Sequence, residues 1–145
     1  MKFTATAPVL THPDAPPAWL GNLAQDATLE GAVLKRPVHG KDNILALISH
    51  ARTLYEFQQY TYFGNVGDRF FLESYRSSVN GVPLECSILV HMNDVGEADS
   101  LLIHHYPLSG VHEFSRLMWE KFGDRFGELY LSAAQSEGLN NAAGQ

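Results

Sequence analysis

The sequence predicts an α+β fold in which one strongly bent, mainly antiparallel sheet wraps around helices. Three observations carry that expectation. Four consecutive runs between Tyr55 and Leu108 alternate apolar and polar residues with period two. The dipeptide Asn80-Gly81 separates the middle two runs, and it is a strong hairpin signal because both turn residues must take positive φ. Apolar stripes at helical spacing flank the runs, Ile44, Leu47, Ile48, Ala51 and Leu54 before them, and Val111, Phe114, Met118, Phe122, Phe126 and Leu129 after them. A two-residue turn also fixes register: Val79 faces Val82, Ser77 faces Leu84, Arg76 faces Glu85, Tyr75 faces Cys86 and Glu73 faces Ile88. The Arg76–Glu85 match is a check, since opposite charges across a sheet are mildly favourable.

Taken in order, residues 1–17 contain Pro8, Pro13, Pro16 and Pro17 without any period and read as an extended or flexible arm. Ala18 to Gln25 predicts a short helix around Trp19, Leu20 and Leu23. Ala27 to Gly31 and Val33 to Val38 predict short strands, placed at an edge or bulge by Gly31 and Pro37. Gly40-Lys41-Asp42 introduces a helix, with Asp42 near its positive end. The four strands follow at Tyr55–Gly64, Arg69–Val79, Val82–Asn93 and Ser100–Leu108, with connections short enough for an antiparallel meander. Ser109 is the expected N-cap of the last helix, weakened by Gly123 and Gly127. Residues 136–145 are polar and small and read as a flexible tail, leaving residues 18–135 as one domain.

Composition narrows the function. A net charge of -6 argues against a nucleic-acid partner, which would want a basic face. The single cysteine, Cys86, excludes an internal disulfide and suits a cytoplasmic location. The N-terminus lacks the apolar core of a signal peptide, and no run approaches a membrane span. Eight Phe, six Tyr and two Trp suffice to line an apolar cavity as well as fill a core. Dinucleotide-binding and Walker patterns are both lacking, so no cofactor is expected.

Asp26-Ala27-Thr28-Leu29-Glu30 and Arg36-Pro37-Val38-His39-Gly40-Lys41-Asp42-Asn43-Ile44 are followed by Gly67-Asp68-Arg69, Asn80-Gly81-Val82-Pro83-Leu84-Glu85 and Tyr106-Pro107-Leu108. In order and spacing these stretches, between about Trp19 and Phe122, resemble the SnoaL-like branch of the nuclear transport factor 2-like (ketosteroid isomerase-like) superfamily. The resemblance implies a cone-shaped, cystatin-like α+β fold with a pocket between helices and the concave sheet face, commonly in a homodimer. Members include isomerases, polyketide cyclases, epoxide hydrolases and dehydratases, beside domains without catalysis, so the reaction stays open. One departure is sharp. Such strands often read Gly-Val-Asp-Leu-Leu-Arg-Leu, with the Asp aimed into the pocket, whereas this chain has Cys86-Ser87-Ile88-Leu89-Val90-His91-Met92. Ile88 replaces the acid, and the first helix looks shorter than the family's.

On this alignment the concave face carries Leu84, Cys86, Ile88, Val90 and Met92, with Phe71, Glu73, Tyr75 and Ser77 beside them. Pairing Gly64 with Arg69 sets Tyr60 opposite Glu73 and Tyr62 opposite Phe71. A similar turn after Met92 sets His105 opposite Ile88 and Ile103 opposite Val90. One row then reads Tyr60, Glu73, Ile88, His105. In an apolar cavity a carboxylate is pushed towards neutrality and an imidazole titrates near it, so Glu73 and His105 form a base and acid pair. Tyr60 supplies a hydrogen bond to a carbonyl or developing oxyanion. Tyr62, Phe71, Tyr75, Cys86, Ile88, Val90, Met92, Ile103 and Trp19 are the expected pocket walls. Two other readings stand beside this one: Glu73 and His105 satisfy each other in a buried polar network, or a register slip turns them to solvent.

His104 and His105 point to opposite faces and do not share a metal ion. His50, His91 and His112 are assigned to the surface or an interface, and Cys86 to the core as a small hydrophobe. The opposite sheet face, with Phe70, Leu72, Ser74, Arg76, Glu85, Ser87, Leu89 and His91, is too apolar for open water and predicts a dimer interface. Covering by the C-terminal helix or the N-terminal arm is the other explanation. Two functions follow: a domain that binds a small, mostly apolar organic molecule and moves a proton on it, or a non-catalytic ligand carrier or dimeric module.

Overall fold

A computed structural model describes residues 9–10 and 16–143. Most of the expected N-terminal arm lies outside these. Strands β1 (Val9–Leu10), β2 (Leu23–Gly31) and β3 (Val38–His39), helix α1 (Lys41–Leu54), strands β4 (Gln58–Val66), β5 (Phe70–Val79), β6 (Val82–Met92) and β7 (Ala98–Tyr106), and helices α2 (Leu108–Phe126) and α3 (Ala133–Ala143) follow in sequence. The strands form one open sheet in the order β1-β4-β5-β6-β7-β2-β3, antiparallel throughout except for the parallel pair β2–β7.

The central hairpin has the predicted register at all five positions. Asn80 and Gly81 take φ of 50° and 74°, the left-handed values a type I′ turn demands. Arg76 Nε donates to Glu85 Oε1 at 2.9 Å. Glu56 ties the turn to the chain leaving α1, its carboxylate accepting from the Gly81 N–H at 3.0 Å and from the Ser78 hydroxyl.

The neighbouring registers differ from expectation. An irregularity between Tyr60 and Tyr62 pairs Tyr60 with Tyr75, Tyr62 with Ser74 and Phe63 with Glu73. One extra residue inverts the in–out alternation beyond it, so Tyr62 shares the outer side with Ser74 while Phe63 takes the concave side. The turn after β6 is offset by two residues: His105 faces Cys86, Ile103 faces Ile88 and Leu101 faces Val90. An offset of two preserves the face but moves each residue one row along.

Four local expectations are also corrected. Only Leu20–Asn22 makes a helical turn, and it is 3₁₀; Leu23 already begins β2, because Leu23, Ala24 and Ala27 enter the core on a strand paired with β7. Val33–Val38 contributes only Val38 to a strand, residues 33–37 forming an irregular crossing after Gly31. Helix α2 starts at Leu108 with Pro107 in the cap position, so Ser109 is not the cap. Residues 136–143 of the expected tail lie in helix α3, which begins at Ala133. Gln135 N–H donates to Ser132 Oγ at 3.2 Å and Ser132 N–H to Gln135 Oε1 at 3.0 Å, a reciprocal capping box.

The core lies between the concave face and helices α1 and α2. Ile44, Leu47 and Ile48 come from α1, Phe114, Met118 and Phe122 from α2, and Leu84, Ile88, Val90 and Leu101 from the sheet. Gly110 is where α2 touches β6: a Cβ there would stand 2.5 Å from the Pro83 carbonyl oxygen. Among the described residues no helix is long and apolar enough to cross a membrane.

Candidate functional site

Two adjacent rows of the concave face build the site. The first runs Tyr60, Tyr75, Cys86, His105; the second runs Glu73, Ile88, Ile103, Gly31. Helix α1 lays Leu47, Ile48, Ala51 and Arg52 across these rows, α2 adds Phe114 and Met118, and Trp19 and Tyr130 close the sides. The space between them is a partly open pocket of about 50 Å³ with almost wholly apolar walls, several times what one water molecule occupies on that measure.

Of the residues singled out in the sequence, Trp19, Tyr60, Glu73, Tyr75, Ile88, Ile103 and His105 line this cavity. The other five do not. Tyr62 is turned to the outer face by the irregularity in β4. Phe71 packs edge-on against Phe63, with ring centroids 4.9 Å apart. Cys86 and Val90 are sealed in the core cluster, and Met92 sits beyond a second irregularity at the far end of β6. The cavity occupies only the part of the concave face that the helices leave unfilled, which strand alternation alone does not locate.

Glu73 is 2% exposed. Its Oε2 accepts a long hydrogen bond, 3.4 Å, from the Trp19 indole N–H. Burial raises its pKa to about 7, the Trp19 hydrogen bond and the Arg52 charge opposing the rise. Tyr60, beside it, is pushed up to about 12 by burial and by the Glu73 charge.

His105 occupies the other row and departs from its expected role. Burial, with a smaller contribution from His104, lowers its pKa to about 3, so the ring is neutral at pH 7 and is no imidazolium acid. The Tyr55 hydroxyl lies 2.9 Å from its Nε2, while its Nδ1 is buried without a hydrogen-bond partner. An unsatisfied buried polar atom costs about 1–3 kcal/mol. Phe114 stacks on the His105 ring at 4.7 Å and lies parallel to Tyr55 at 5.7 Å. Tyr55, expected to begin the strand Tyr55–Gly64, instead follows α1 in an extended link (φ −71°, ψ 123°), with β4 starting only at Gln58, so strand alternation did not bring it to the site. Burial raises the Tyr55 and Tyr75 hydroxyls well above their usual range and Cys86 to about 12, so all three are protonated and the thiol is no nucleophile.

The remaining histidines sit apart from the cavity. His104 is exposed on the outer face, His91 Nδ1 lies 2.6 Å from Asp99 Oδ1, and His50 meets the Phe122 ring edge-on. No three His, Cys, Asp or Glu side chains converge among the described residues.

No protein-family model and no curated protein sequence matches the chain. Solved structures do. A steroid delta-isomerase from Pseudomonas aeruginosa superposes with a TM-score of 0.67 at 16% identity, over 74% of this chain and 80% of that one. An uncharacterized protein with a cystatin-like fold from Silicibacter pomeroyi DSS-3 gives 0.68 at 16% identity, over 76% and 79%. An NTF-2-like protein of unknown function from Burkholderia xenovorans LB400 gives 0.51 at 17%, over 59% and 66%. The chain therefore has the cystatin-like, nuclear transport factor 2-like fold, as the family resemblance implied. At these identities the likeness is one of fold.

Proposed function

We propose that the protein binds a small, mostly apolar organic molecule in the cavity and catalyses proton transfer on it, in the manner of an isomerase, cyclase or dehydratase, without metal or redox cofactor. The observation that carries this reading is Glu73, a carboxyl group enclosed by apolar walls with a pKa of about 7. Such a group is half ionised at neutral pH and matched to taking up and returning a proton. In the reaction a substrate C–H bond breaks, its proton goes to a Glu73 oxygen, and the electron pair moves onto a substrate oxygen. Tyr60 and His105, both uncharged, stand as hydrogen-bonding groups for that oxygen. The proton then returns to the same or another carbon. Glu73, His105 and Tyr60 are the proposed catalytic residues.

The outer sheet face supports a homodimer as the working assembly, in a cytoplasmic setting that suits a lone buried thiol. A second reading, a non-catalytic ligand carrier or dimeric module, has Ile88 in its favour. Deuterium incorporation into cyclohex-2-en-1-one, followed by NMR, decides between them. Exchange catalysed by the protein and lost in Glu73→Gln supports proton transfer; equal rates with and without protein, or a fully active Glu73→Gln, sink it.

A further inference from the structure

Tyr130 closes one side of the cavity, and proton transfer at Glu73 makes no use of it. The residue lies in the link between α2 and α3, and the backbone on either side of it is pinned. Lys35 N–H donates to the Leu129 carbonyl at 2.8 Å, Leu129 N–H to the Phe126 carbonyl at 2.8 Å and Leu131 N–H to Ser115 Oγ at 3.2 Å. The ring is thereby fixed beside the chain that leaves β2, three strands from Glu73 and about 14 Å along the sheet. Tyr130 is 2% exposed and lines the cavity, yet its hydroxyl has no hydrogen-bond partner among the described residues. Among those residues His105 Nδ1 is the side-chain polar atom that is both unpartnered and sealed, so the Tyr130 hydroxyl, unpartnered as well, keeps open space in front of it. In a residue this buried, that space is the cavity.

We infer that the Tyr130 hydroxyl selects the ligand by donating a hydrogen bond to an acceptor oxygen that carries no proton, an ether oxygen above all, on the part of the molecule remote from Glu73. Phenylalanine would fill the same space without leaving a buried hydroxyl unsatisfied, which destabilises the free protein. A ligand that satisfies this donor is therefore favoured over one that leaves it bare. Gly31, Val33 and Leu34, the lining residues on this side, bring no polar side chain. An alcohol would carry a second donor to a wall whose other side chains offer it no acceptor, whereas an ether carries none. The oxygen held by Tyr130 is separate from the one that receives the electron pair when Glu73 takes the proton. This inference rests on the ligand-binding half of the preceding reading and is independent of the chemistry.

Benzyl methyl ether and propylbenzene serve as probes, alike in size and differing by one oxygen for one methylene. Each is titrated into the full chain by calorimetry, and into protein labelled with ¹³C at tyrosine Cζ, the Tyr130 resonance being assigned by its absence from Tyr130→Phe. The ether should bind saturably and move the Tyr130 Cζ resonance more than propylbenzene does. Tyr130→Phe should weaken the ether about five- to tenfold relative to propylbenzene, as the loss of one hydrogen bond predicts. Without ligand, the variant should unfold at the same urea concentration as the wild type or a higher one. Equal effects of the variant on both probes, no saturable binding of the ether, a Cζ resonance that it leaves unmoved, or a lower urea midpoint overturns the inference. Glu73→Gln separates this from the preceding proposal: loss of deuterium exchange with the Cζ shift intact upholds acceptor recognition. Exchange in the wild type with no Cζ shift upholds the base and removes the role of Tyr130.

Discussion

Glu73 carries an electrostatic cost that depends on pH. Its pKa rises from 4.5 to about 7 on burial, so the folded state holds a proton that the unfolded chain has released between those values. Stability therefore falls as pH rises from about 4.5 through 7, and the full cost, roughly 3 kcal/mol, applies above pH 7. Glu73→Gln has no proton to lose. Urea titrations of both proteins at pH 5 and pH 8 should show the variant gaining on the wild type at pH 8; a constant difference would mean Glu73 is not buried as described. Sequence alternation brought Glu73 and His105 to one face correctly. It could not show that His105 is neutral, since that follows from burial of the ring beneath Phe114 of the following helix and Tyr55, 50 residues away in the sequence.

At the scale of elements, α2 is held against the hairpin by a missing side chain. A Cβ at Gly110 would meet the Pro83 carbonyl oxygen at 2.5 Å and Leu84 Cδ1 at 2.9 Å, contacts that force backbone to move. Gly110→Ala should lower stability by about 1–3 kcal/mol despite its gain in helix propensity; an unchanged urea midpoint would show that α2 does not press on β6. The hairpin register was legible because Asn80-Gly81 admits one turn geometry. The β4 register was not, because a bulge leaves no signature in an apolar–polar pattern and Tyr60, Tyr62 and Phe63 suit either face. Helix α3 has one signal in the sequence, the capping-box pattern Ser132-Ala-Ala-Gln135, but the residues after it lack the apolar stripe that marks a helix.

For the whole molecule, the outer sheet face is the surface on which the proposed homodimer depends. Val66, Phe70, Leu102 and Tyr106 are exposed there, with Leu72 and Leu89 half-buried between them. Helices α1 and α2 pack on the concave side, so neither covers this face. Light scattering should give twice the chain mass at micromolar concentration, and Leu102→Arg should halve it without loss of secondary structure; a wild-type monomer would count against the dimer. The parallel pair β2–β7 has a kinetic meaning as well. It joins Leu23–Gly31 to Ala98–Ile103 across the full meander, so closing it costs more loop entropy than any pairing within the meander. Leu29, Gly31 and the adjoining Trp19 all line the cavity, so the wall that is costliest in entropy to close is also the natural hatch. Amide protons of β2 should exchange with solvent sooner than those of β5 and β6, because detaching β2 together with its two-residue partner β3 uncovers Glu73 while the meander stays folded.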